Sequence, residues 1–132
     1  MPNILVVDDN PDTRDLMKVI LERHGLKVVF AVDGQDGIEK ARREAPVLII
    51  TDIAMPRLNG IEMIEKLRAM PEFKNAPILA LTSYGIEKAM EARIAGASHA
   101  LARPIHNDLL LVFVQELMKM HPTESRTVEI IH

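Results

Sequence analysis

Apolar and β-branched residues along this chain gather in five short runs: Ile4 to Val7, Lys27 to Val32, Val47 to Thr51, Ile78 to Thr82 and His99 to Ala102. Each predicts a strand. The third, V-L-I-I-T, shows no alternation, the pattern of a strand buried on both faces in the middle of a parallel sheet. Between the runs, apolar residues recur at helical spacing. Asn10 is a good N-cap and Pro11 a good first helical residue, so a helix follows with Leu16, Ile20 and Leu21 inward. It ends at Gly25, with His24 in its last turn. A second helix spans Gln35 to Ala45, anchored by Ile38 and by Ala41 or Ala45, and Pro46 blocks its continuation. Further helices are predicted over Ile61 to Met70, Ile86 to Ala95 and about Asn107 to Met120, with Pro71 to Pro77 as loop. Pro56, Asn59 and Gly60 turn the chain after the third strand.

Five strands alternating with five helices imply a parallel sheet covered on both faces, with right-handed crossovers. The common five-stranded order for this pattern is 2-1-3-4-5. It places strands one and three side by side and opens a crevice beyond their carboxyl ends. Asp8 and Asp9 end strand one, Asp52 ends strand three, Thr82 ends strand four, and Arg103 follows strand five. Any one of these residues alone reads as a cap, a strand residue or a surface charge. Together they fit a single chemistry. Three carboxylates in one crevice repel, which a hard divalent cation such as Mg²⁺ relieves. A carboxylate can attack phosphorus to give an aspartyl phosphate. The Thr82 hydroxyl and the Arg103 guanidinium then have phosphoryl oxygens to bind.

Composition narrows the classes. The chain has 132 residues, enough for one domain, and 48% of them are apolar, which excludes general disorder. A net charge of −3 gives no electrostatic reason to bind nucleic acid or an anionic membrane. With no cysteine there is no thiol nucleophile and no Cys-based zinc site. Met1 to Val7 reads as strand, not as signal peptide, and no apolar run reaches membrane-spanning length. The expectation is one cytoplasmic domain over 1–121, with a tail or linker over 122–132. None of the five histidines sits in a phosphotransfer or metal motif, and His99 reads as a surface histidine.

The motifs D-D-N after strand one, D-I-A-M-P-R-L-N-G after strand three, L-T-S after strand four and G-A-S-H-A-L-A-R-P before the last helix resemble the receiver domain of bacterial two-component response regulators. The resemblance covers Ile4 to Met120. It implies a flavodoxin-like α/β fold, a five-stranded parallel sheet of order 2-1-3-4-5 with five helices on both faces. It implies that Asp52 accepts a phosphoryl group from a histidine kinase or phosphotransfer protein, with the chain catalysing only its own phosphotransfer and dephosphorylation. Mg²⁺ would be bound by Asp9, Asp52 and the Ala54 carbonyl, with Asp8 in support, and Thr82 would be the switch hydroxyl. Output would be protein contact with a downstream partner.

The chain departs from the family twice. Arg103 stands where the family has Lys, and Ala100 where it usually has Tyr or Phe. Arg is longer, planar and more weakly hydrated than Lys, so Arg103 is expected to pair with Asp52 or Asp9. These departures leave a second class open, a degenerate receiver acting as a phosphorylation-independent interaction module. Tyr84, the only tyrosine, reads as a loop cover, with a substitute ring for the missing aromatic as the alternative. A dehalogenase-type phosphatase needs D-x-D after a strand, which Asp8-Asp9-Asn10 lacks. A flavodoxin needs a hydroxyl- and glycine-rich phosphate loop where D-D-N-P-D stands. In the last helix six apolar residues, Leu109 to Val114, cover every side. Leu110, Phe113, Val114 and Leu117 are expected inward, Leu111 and Met118 on one flank and Val112 outward. With that outward residue, the resemblance implies a partner or homodimer face made of helix four, strand five and helix five, which the family commonly uses for output.

Overall fold

Why the chain folds as it does is visible at its caps. Asn10 Oδ1 accepts from Asp12 N at 2.9 Å and starts α1 (Pro11–Glu22). Asp33 caps α2 (Gly34–Glu44), accepting from Asp36 N at 2.8 Å. Asn59 and Glu62 form a reciprocal capping box that starts α3 (Gly60–Arg68). The remaining elements are β1 (Asn3–Val7), β2 (Lys27–Ala31), β3 (Leu48–Asp52), a 3₁₀ turn (Pro71–Phe73), β4 (Ile78–Thr82), α4 (Ile86–Ala95), β5 (His99–Ala102) and α5 (Asn107–Lys119). The computed structural model describes residues 3–55 and 58–120. The expected tail, 122–132, and Pro56 lie outside them.

The strands form one parallel sheet of order β2-β1-β3-β4-β5. Each central strand faces two cores. Leu5, Val7, Ile49, Ile78 and Ala80 pack with Ile38, Ala41, Met63, Ile64, Leu67 and Ala92, residues of α2, α3 and α4. Ile4, Val6, Leu48, Ile50, Leu79 and Leu81 pack with Met17, Leu21, Leu110, Val114 and Leu117, residues of α1 and α5. This double burial is what an unbroken apolar strand requires.

Several expectations are corrected. Leu16 is exposed, and Met17 takes its place beside Ile20 and Leu21. One helical step is about 100°, enough to move a residue off the buried stripe. Ala45 is not a core anchor: it is the exposed C-cap of α2, with φ 47° in the left-handed region. The loop after α3 contains the 3₁₀ turn, which buries Phe73. Phe113 is half-buried, its ring edge-on to His99 at 4.8 Å, and Leu111 and Met118 pack against the α1/α5 core.

Candidate functional site

All five strands end at one edge of the sheet, and the acidic residues meet there. Val7 pairs with Thr51 in register, so the residues that follow each, Asp8 and Asp52, come out side by side. One carboxylate oxygen each from Asp8, Asp9 and Asp52 lies within 4.8 Å of the others. Their surroundings differ. Asp8 is buried, Asp52 half-buried and Asp9 exposed. Asp8 Oδ1 accepts from Asn10 N at 2.9 Å, and Asp52 Oδ1 accepts from Ile53 N at 2.8 Å.

The electrostatics follow from that burial. Loss of water raises the pKa of Asp8 above the ordinary carboxylate range, and repulsion from Asp9 adds to it. The Asn10 N–H and the Arg103 guanidinium oppose the rise without cancelling it. Asp52 is raised by burial and then by Asp8, against the pull of Arg103. The two carboxylates thus sit where added positive charge is favourable.

Arg103 provides some of that charge, at a different address from the expected one. Its Nη2 lies 3.4 Å from Asp8 Oδ2, and neither Asp52 nor Asp9 is its recorded ion-pair partner. Asp8 is the most deeply buried of the three, so its charge is the least screened by water. The Arg103–Pro104 peptide bond is cis. Arg103 N donates to Thr82 O at 2.7 Å, which fixes the start of the β5–α5 loop beside β4. Thr82 is fully buried, and its Oγ1 accepts from Tyr84 N at 2.9 Å. Ala54 is exposed just beyond Asp52, and Tyr84 is exposed beyond Thr82. Ala100 is half-buried against the α2/α3/α4 core.

One supporting residue escaped the sequence reading, and one expected turn residue proves to be sterically obligatory. Arg14 Nη1 donates to the Asp8 carbonyl at 2.7 Å, bracing the turn that presents Asp9. Its position one turn into α1, six residues past Asp8, was the available signal. Gly60 closes the loop after β3: its N–H donates to Ile53 O at 2.9 Å, and a Cβ there would lie 2.2 Å from Asp52 O. Only glycine permits that approach.

Comparison with known proteins agrees with this geometry. The response regulator receiver domain family matches residues 4–115. The chain is 32% identical to Protein PilH of Pseudomonas aeruginosa over 119 residues, 89% of this chain and 98% of that one. It is 40% identical to hybrid signal transduction histidine kinase D of Dictyostelium discoideum over 120 residues, 90% of this chain but 8% of that protein. Among solved structures, the chemotaxis response regulator CheY4 of Vibrio cholerae superposes with a TM-score of 0.81 at 32% identity, covering 89% of this chain and 98% of that one. The receiver domain of a sensor histidine kinase from Pseudomonas aeruginosa, solved with a magnesium ion in its active-site cleft, gives a TM-score of 0.82 at 28% identity, covering 89% and 97%. Among the described residues, no helix is long and apolar enough to cross a membrane. With its sheet order, its acidic crevice and its sequence in agreement, the chain belongs to the response regulator receiver domain family of two-component signalling.

Proposed function

We propose that this chain is a phosphorylatable cytoplasmic receiver that takes a phosphoryl group on Asp52 from the phosphohistidine of a histidine kinase or phosphotransfer protein. The observation that supports it is the meeting of Asp8, Asp9 and Asp52, each offering an oxygen within 4.8 Å of the others. An Asp52 carboxylate oxygen attacks phosphorus. The P–N bond breaks, and its electron pair stays on the donor's imidazole. Thr82 Oγ1 and the Arg103 guanidinium are the donors for phosphoryl oxygens, and Arg103 leaves Asp8 in part to serve there.

The all-oxygen donor set suits a hard cation such as Mg²⁺. Asp9, Asp52 and the Ala54 carbonyl are the residues to hold it, with Asp8 behind them. Bound there, the ion supplies neutralising charge for the transferring phosphoryl group.

Output is proposed to be contact with a downstream protein partner or a second copy through α4, β5 and α5. Large apolar residues point outward there: Ile86, Met90 and Ile94 on α4, and Leu109 and Val112 on α5. Clusters of this kind mark contact surfaces. A second reading, the phosphorylation-independent interaction module, draws on the Arg103–Asp8 ion pair, which already satisfies the charge meant for a phosphoryl group.

One experiment separates them. The full chain is incubated with Mg²⁺ and acetyl phosphate, and its intact mass is measured. The phosphorylatable reading expects one added phosphoryl group, lost in Asp52→Asn and in Asp9→Ala. An unmodified chain favours the interaction module.

A further inference from the structure

The two ends of α4 are held very differently. At its carboxyl end stands a dense set of bonds centred on Arg68, the last residue of α3. Arg68 Nε donates to Gly96 O at 2.8 Å, its Nη1 to Phe73 O at 2.7 Å, and its Nη2 reaches Ser98 Oγ at 3.5 Å. Ser98 Oγ in turn accepts from Ile78 N at 3.0 Å. Arg93 Nη1 donates to the Ser98 carbonyl. The Arg68 stem lies against Gly96, where a Cβ would come within 2.7 Å of Arg68 Cγ. One half-buried guanidinium therefore ties α3, the 3₁₀ turn, the end of α4 and the start of β5 together. Among the described residues it has no carboxylate partner; backbone carbonyls take its protons.

The amino end has none of this. Its cap is Gly85, at φ 88°, with no side-chain hydrogen bond. Among the described residues, the preceding turn is held by one bond, Tyr84 N to Thr82 Oγ1. That hydroxyl is the one assigned to the phosphoryl group. When it turns toward Asp52, the Tyr84 N–H must follow it or lose its partner.

We propose that Arg68 is a positioning residue that pins the carboxyl end of α4, so that phosphorylation moves the helix only at its amino end. This rests on the phosphorylatable reading of Asp52 and adds the pivot to it. Tyr84, Ile86 and Met90 ride on the moving end. Ile94, four residues beyond Met90 on the same face, rides on the fixed one.

Hydrogen exchange on the full chain, with and without Mg²⁺ and acetyl phosphate, tests this, with intact mass measured in parallel. In the wild type, phosphorylation should speed exchange over Tyr84–Ala89 and leave Gly96–Ser98 unchanged. Before any phosphorylation, Arg68→Met should already speed exchange at Gly96–Ser98 by roughly tenfold or more, the size of losing hydrogen bonds to a charged group. Arg68→Lys, which keeps the charge without the fork, should fall between. Ser98→Ala, a milder change at the same junction, repeats the test should Arg68→Met not fold. Unaltered exchange at Gly96–Ser98 in these variants overturns the pin. Equal acceleration at both ends of α4 in the phosphorylated wild type overturns the pivot. A wild type that takes up no phosphoryl group overturns the phosphorylatable reading instead, and the unphosphorylated comparison still decides the pin.

Discussion

Arg103 Nη2 lies 3.4 Å from Asp8 Oδ2, an ion pair that joins the end of β5 to the end of β1 over the two strands between them. The contact is long and runs through one nitrogen, weaker than a two-pronged fork. Arg103 is thus held near the crevice yet free to exchange partners. Arg103→Met should slow phosphorylation of Asp52 by roughly tenfold or more, the effect of losing a charged hydrogen bond. Arg103→Lys should remain within about tenfold of wild type, because the charge survives. Time courses of intact mass with acetyl phosphate measure both. A rate in Arg103→Met equal to wild type would remove Arg103 from the chemistry.

Raised carboxylates set a pH dependence. In the folded chain Asp8 and Asp52 hold their protons above the ordinary value of 3.8. Between that value and the raised ones the folded state binds more protons than the unfolded state. Stability contributed by these groups is therefore present at the acidic side of that window and is lost as pH rises through it. Without divalent cations, Asp8→Asn should be more stable than wild type at pH 7 and show a flatter profile across the mildly acidic range. Each pKa unit corresponds to about 1.4 kcal/mol. Urea unfolding at a series of pH values measures this; a wild-type curve steeper toward higher stability at pH 7 contradicts it.

Gly60 admits no side chain. With a Cβ placed 2.2 Å from Asp52 O and 2.9 Å from Ile53 Cα, the obstacle is backbone on both counts. Gly60→Ala should cost about 3 kcal/mol, at the upper end of overpacking, and should slow phosphorylation because the end of β3 must shift. Denaturant midpoints and mass time courses report the two effects separately.

Ala45 shows the opposite opportunity. It closes α2 at φ 47°, where glycine is the usual residue. Ala45→Gly should raise stability by about 0.5–1 kcal/mol, since an L side chain is strained there by somewhat more than glycine loses in chain entropy. The expected signature is a higher urea midpoint at unchanged slope. A lower midpoint refutes the argument.

The outward stripe of α4 also has a direct test. Ile94 is 85% exposed and Ile86 72%. Met90→Glu with Ile94→Glu should leave the fold intact and weaken self-association or partner binding. Leu111 is a poor site for that experiment, because it packs against the core. Sedimentation of the wild type and the double variant decides: a wild type that stays monomeric at high concentration and a variant that binds its partner normally exclude this face.

Much of this was legible in the sequence. The central strands were readable because burial on both faces leaves few polar positions, and the start of α1 was readable because Asn10 caps it locally. Three things were not. Leu16 and Met17 are neighbours of similar hydropathy, and the rotation of α1 about its own axis decides which goes inward. In α4 the large residues Ile86, Met90 and Ile94 face out while Ala89 and Ala92 face in. The side that packs is the small-residue side, so hydrophobicity alone points the wrong way. The partner of Arg103 was undetermined because three carboxylates stood within reach and only depth of burial separates them.

Asp8 and Asp9 are far from Asp52 along the chain and meet only when β3 docks beside β1. The unfolded chain feels none of the repulsion between Asp52 and the other two. Parallel pairing of this kind waits on long loop closures and forms slowly. The cost of bringing Asp52 to the other two therefore arises only as the sheet closes. A cation that needs all three oxygens finds them assembled only in the closed sheet, so its binding there adds to the stability of the folded chain over the unfolded one.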